Sequence, residues 1–253
     1  VWYKFSKFLF ASYGHFLKLS NFEEAVKEIE HYISSGEFIK DIDKTSTPNV
    51  SDQFKAYFFN VSAIKITTLH LNTDKQTYDI PVYAMIDLNG PREASILTQF
   101  PPYIIVFVNN ITNIRSTLAH EISHLYEFLR KYENTQLDGL RKEKSFFHDS
   151  YRQKIMESNR SEEEKQNLIH FIKYVSLPSE VRARIDEIFS NPETKSVFKS
   201  YLDEGDQTLL AIEKTAYKFL GDDYKYMPTA ARNKLNTELY KYLYSYGRGK
   251  DIQ

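Results

Sequence analysis

Cysteine is absent from the 253-residue chain. Its absence excludes a disulfide framework, a thiolate zinc site and a cysteine nucleophile, so any metal must be held by His, Asp or Glu. It also fits a reducing compartment. An excess of one charge is missing too: 33 Lys and Arg stand against 34 Asp and Glu, a formal net charge of −1. No general electrostatic pull toward nucleic acid or acidic membranes follows from that balance, and no nucleic-acid partner is expected. Long apolar runs are lacking as well. Residues 2–19 come nearest, but Lys4, Lys7, His15 and Lys18 interrupt them too often for a transmembrane segment. There is no internal repeat and no low-complexity tract. With 42% hydrophobic and 26% charged residues, the composition is that of a globular chain able to bury a core as one large domain or two small ones. A soluble protein, cytoplasmic or virion-associated, is the expected setting, and a start at Val1 in place of Met fits a processed form.

What the chain does contain is a change of periodicity. Phe5, Phe8, Leu9, Phe16 and Leu17 recur at helical spacing, which predicts an amphipathic helix docked on the chain's own body or on a protein partner. Ser20 with Glu23 reads as a capping box, followed by Phe22, Val26, Ile29 and Ile33 on one helical face up to Gly36. A loop is expected over residues 43–52. Residues 57–71, 78–88 and 103–108 are rich in β-branched and aromatic side chains and predict a small sheet. After Asn109-Asn110 the period becomes helical: Ile114, Leu118, Ile122, Leu125 and Leu129 mark a buried stripe to about Tyr132. Further helices are expected over 161–174, opened by a Ser161/Glu164 capping box, 178–189, 206–220 and 228–246. The reading is an α+β fold. It has an N-terminal helical accessory segment (1–45) and a main domain (53–253) made of a sheet (53–110), a central helix (113–132) and a helical subdomain (133–253).

The central helix carries His120-Glu121-Ile122-Ser123-His124. Residues four apart lie one turn above each other on a helix, so both imidazoles can aim a nitrogen at one metal ion about 2.0–2.1 Å away. Glu121, rotated off that line, stands beside the pair, where it can take a proton from a coordinated water whose pKa zinc lowers toward about 7. The flanks strengthen the pattern. Uncharged Ile122 and Ser123 fill the motif, and an apolar strand and short polar loop precede the helix. The competing bland reading is a pair of ordinary helix histidines with Glu121 in a local ion pair, and a third is a metal site kept for structure.

With these flanks the segment resembles the extended zincin pattern, the metallopeptidase class in which an HExxH helix underlies the cleft. The resemblance implies a zinc cofactor, a peptide or protein substrate, and a strand before the metal helix whose free edge pairs with an extended peptide. The metzincin branch would need Gly at 127 and His at 130, where this chain has Glu127 and Arg130. Glu180, in Leu177-Pro178-Ser179-Glu180-Val181-Arg182-Ala183-Arg184, resembles the distant glutamate of gluzincins. In those families a second helix completes the site, and a small residue one turn later lets helices approach. The likeness is to phage- and bacterium-encoded gluzincin-type peptidases and covers residues 103–189. It implies His120, His124 and Glu180 as metal ligands and Glu121 as catalytic base. Alternatives for Glu180 are an i, i+4 ion pair with Arg184, or replacement as ligand by Glu187, His148 or His170. No residue is singled out for stabilising an oxyanion. The rival reading is a non-catalytic structural or binding protein, a virion component retaining a zincin scaffold. In it the N-terminal aromatics and Leu235, Leu239, Tyr242, Leu243 and Tyr246 of the last helix would be docking surfaces.

Overall fold

The computed structural model describes residues 15–36, 63–86, 93–97, 101–133 and 145–247. The helix expected over residues 2–14, the loop over 43–52 and the outer portions of two expected strands (57–62 and 87–88) lie outside them. Among the described residues the fold is α+β, with nine α-helices and one four-stranded mixed sheet. The chain forms two compact units, one within His15–Gln136 and one within Leu137–Gln253. No helix of the described residues is long and apolar enough to cross a membrane.

The first unit opens with a 3-10 turn, His15–Lys18, and helix α1, Phe22–Ser35. Phe16 is buried but Leu17 is 61% exposed, so the expected apolar stripe does not run through both. Helix α1 buries Phe22, Ala25, Val26, Ile29 and Tyr32 and ends at Gly36, whose φ of 68° is the left-handed conformation glycine adopts at low cost. The Ser20/Glu23 capping box is not formed. Asn21 occupies the N-cap position, and no side chain caps the helix. Tertiary partners took both groups: the Asn21 amide donates to the Thr68 carbonyl at 2.8 Å and accepts from the His70 N–H at 3.0 Å, and Glu23 is paired with Arg115.

The sheet contains β1 (Ile64–Asn72), β2 (Thr77–Met85), β3 (Ala94–Leu97) and β4 (Tyr103–Phe107), in the order β1-β2-β4-β3. β1 and β2 are antiparallel, β2 and β4 parallel, β3 and β4 antiparallel. The register of β1 on β2 shifts between Lys65 and Thr67. Beyond the shift Thr67, Leu69 and Leu71 face inward together with Tyr78, Ile80 and Val82 of β2. Tyr32 of α1 packs on this face beside Ala84. The opposite face gathers Met85, Ile105 and Phe107 with Tyr83 and Tyr103. Burial on both faces explains why β4 is a continuous apolar run. Two expectations change here. Strand β3 was not anticipated, since four residues carry too short an alternation to register. And β4, the strand before the long helix, is interior: β3 pairs along the side expected to be its free edge.

Helix α2, Ile114–Glu133, follows β4 after a short turn. The second unit is helical: α3 (Asp149–Met156), α4 (Glu162–Val175), α5 (Pro178–Ser190), α6 (Thr194–Asp203), α7 (Thr208–Leu220), α8 (Asp222–Tyr226) and α9 (Thr229–Gly247). Its core joins Val181, Ile185 and Ile188 of α5, Ala211, Ile212 and Ala216 of α7, and Leu235, Leu239 and Leu243 of α9. Those three leucines are at most 9% exposed, and Tyr242 stacks on Phe189 with ring centroids 4.0 Å apart. This part of the last helix is therefore core and not a docking surface, because its i, i+4, i+8 leucines serve the unit's own packing. The side chain of Tyr246 lies outside the described residues.

Candidate metal centre

The histidine pair is set by the way α2 begins and what it buries. The Asn113 side chain accepts from the Ser116 N–H at 3.0 Å, satisfying one of the orphan donors of the first turn. From there Leu118, Ala119, Ile122, Leu125 and Leu129 are at most 2% exposed. Seating this stripe in the core fixes the helix's rotation about its own axis, and with it the direction of the residues beside the stripe. Within the motif Ser123 is buried, as Ile122 is, which is why both positions carry uncharged side chains. His120 is buried, while His124 and Glu121 are half-buried.

The two imidazoles bring like atoms together. Nε2 of His124 lies 3.2 Å from Nε2 of His120, with the ring planes inclined by 72°. Two nitrogens each 2.0–2.1 Å from one tetrahedral ion stand about 3.3 Å apart, so the spacing suits convergence of both lone pairs on a single cation. A neutral pair sharing one N–H···N hydrogen bond would show a similar separation; binding a metal releases that proton.

Before the helix stands a residue that sequence reasoning missed. The carboxylate of Glu93 accepts hydrogen bonds from the Thr112 and Thr117 hydroxyls, both at 2.6 Å. Its backbone carbonyl accepts from the Phe107 N–H at 2.9 Å, continuing the β3–β4 ladder. An acidic group at the opening of a helix also suits the dipole. A lone glutamate after Pro91-Arg92 has no sequence signal for this role; Asn113 as an N-cap, by contrast, was legible from the apolar stripe that follows it.

In the second unit Glu180 sits in the first turn of α5, where Pro178 occupies the opening position and a negative charge suits the helix dipole. It is only 6% exposed, and Ala183, one turn on, is fully buried, as expected of a small residue at a close approach. Arg184, the expected ion-pair partner of Glu180, is engaged by two other carboxylates, Glu187 at 2.8 Å and Asp223 at 2.5 Å. Burial works to lower the pKa of the guanidinium, but the fields of Glu187 and Asp223 outweigh it and hold it above arginine's ordinary range. Glu187, the reserve ligand candidate, is thus committed to an ion pair. His148 and His170 are both exposed, which makes His170 a surface residue and not the core histidine its neighbours suggested. Comparison of the chain with protein-family models, with curated proteins and with solved structures returns no match.

Proposed function

We propose that His120, His124 and Glu180 hold a zinc ion and that the chain is a zinc-dependent peptidase of the zincin type, with Glu121 as general base. One observation carries this reading: a ligand atom from each of the three residues lies within 4.8 Å of the others. Two imidazole nitrogens and a carboxylate oxygen form a donor set typical of catalytic zinc, which takes three protein ligands and keeps a fourth position open. The buried position of Glu180 and the engagement of Arg184 by Glu187 and Asp223 add to it, since a buried carboxylate needs a cationic or hydrogen-bonding partner. A zinc ion there supplies Lewis acidity, polarising a carbonyl and acidifying water.

The chain's own residues do the rest. Glu121 follows His120 directly and is rotated by about 100° around the helix, so its carboxylate flanks the ligand pair. It accepts the proton of the attacking water and returns it to the departing amine. Peptide, rather than another amide, is the proposed substrate by resemblance to zincins. Among the described residues β3 is an edge strand, so it, and not β4, offers unpaired backbone groups to an extended chain.

The test combines metal analysis with cleavage of a mixed peptide library, with and without chelator. One equivalent of zinc and chelator-sensitive cleavage are expected. Glu121→Gln should keep the zinc and lower turnover by roughly 10²–10⁴-fold, while Glu180→Ala should weaken zinc binding. A protein that takes up no metal, or a Glu121→Gln variant that cleaves normally, would sink the reading.

A further inference from the structure

The link between the edge strand and the metal helix has a function of its own, and it rests on the zinc reading above. We propose that Glu93 is a positioning residue for the metal centre, acting through Thr117. Thr117, His120 and His124 stand at i, i+3 and i+7 of α2, within about 60° of arc, so the three side chains leave the same face of the helix. Thr117 lies a little under one turn before His120. Its hydroxyl donates to the Glu93 carboxylate at 2.6 Å, and the same carboxylate takes the Thr112 hydroxyl, also at 2.6 Å, just outside the helix.

Glu93 is itself anchored. The Phe107 N–H donates to its carbonyl at 2.9 Å, and the residues that follow form β3, paired with β4 from Ala94↔Val106 to Leu97↔Tyr103. A charged acceptor held by the sheet therefore grips the helix at two points, one before its first turn and one on the ligand face. Hydrogen bonds to an ionised carboxylate are short and roughly twice as strong as neutral ones. The grip fixes the rotation of the first turns, and the spacing of two histidine nitrogens around an ion is sensitive to that rotation. Buried apolar contacts alone tolerate small helix rotations; a two-point polar clamp does not. Groups that orient metal ligands in this way usually matter nearly as much as the ligands.

The experiment uses the full chain, loaded with cobalt as a spectroscopic stand-in for zinc and titrated against a competing chelator. Thr117→Val removes the hydroxyl at constant shape, and Thr117→Ser restores it. The expected result is a cobalt affinity about 10-fold or more lower in Glu93→Ala and Thr117→Val, with altered visible absorption bands, and near-normal affinity and bands in Thr117→Ser. A role confined to fold stability would lower the melting temperature of Glu93→Ala while leaving the spectrum of its folded, loaded form unchanged. That outcome, or equal affinity in Thr117→Val and Thr117→Ser, overturns the proposal. If the unaltered chain binds neither cobalt nor zinc, the zinc reading fails and this inference falls with it; if it binds and the variants match it, only this inference fails.

Discussion

At the scale of single residues, the same side-chain type does different work according to what surrounds it. Glu23 and Glu180 are both first-turn glutamates, of α1 and α5. Glu23 has a 64% exposed side chain and pairs with Arg115, whose hydrogen bond chiefly holds its carboxyl below the ordinary glutamate value of 4.5. A depressed carboxylate pKa in the folded state gives stability that is fully present above the unfolded value and is lost as pH falls through the folded one. Exposure keeps the magnitude small, up to about 1 kcal/mol. Glu23→Gln should therefore lower stability slightly at pH 7 in denaturant titrations, and the difference from the unaltered chain should vanish as the medium is acidified below pH 4.5. A difference that grew on acidification would contradict the pairing. The residues of the HExxH motif were legible because their spacing is a property of one helix. Glu93 was not, because its partners Thr112 and Thr117 lie 19 and 24 residues away, on the far side of a strand.

At the scale of elements, two similar signatures had different outcomes. Ser161 and Glu164 form the expected box: the Ser161 hydroxyl accepts from the Glu164 N–H at 3.2 Å, and the Glu164 carboxylate accepts from the Ser161 N–H at 2.8 Å. Ser20 and Glu23 do not, because Glu23 has a cationic partner and the chain at Asn21 is tied to β1. Ser161→Ala should cost about 1 kcal/mol, and Ser20→Ala should lie within about 0.5 kcal/mol of the unaltered protein; comparable losses in thermal or urea unfolding would mean both caps form. Long elements with strong periods, α2 and α9 above all, were readable within a residue or two. The short ones, β3, α3, α6 and α8, were not, since four to ten residues give a period too few repeats and their stability comes from tertiary neighbours.

At the scale of the whole molecule, near-neutral charge and an ordinary apolar fraction leave a stability made of core packing, with no bridge of sulfur to supplement it. Any ligand that binds only the native chain adds to that stability by mass action. Zinc at 100 times its dissociation constant should contribute about 2.7 kcal/mol, seen as a rise in melting temperature that grows with zinc concentration. A chelator should reverse it, and Glu180→Ala should show a smaller rise at the same zinc concentration. An unmoved melting temperature in the unaltered protein would argue against a native metal site. From the sequence by itself came the α+β class, the helix that carries His120, Glu121 and His124, the pairing role of β-rich segments and the absence of thiol chemistry, all of which depend on local period, spacing or composition. Tertiary structure alone decided that β4 lies inside the sheet with β3 at its edge, that Asn21 ties α1 to β1, that Glu93 grips the opening of α2, and that Arg184 belongs to Glu187 and Asp223. Each of these is a choice among distant partners, made by which burial and hydrogen bonding satisfy the most groups at once, and no stretch of chain contains both halves of such a choice.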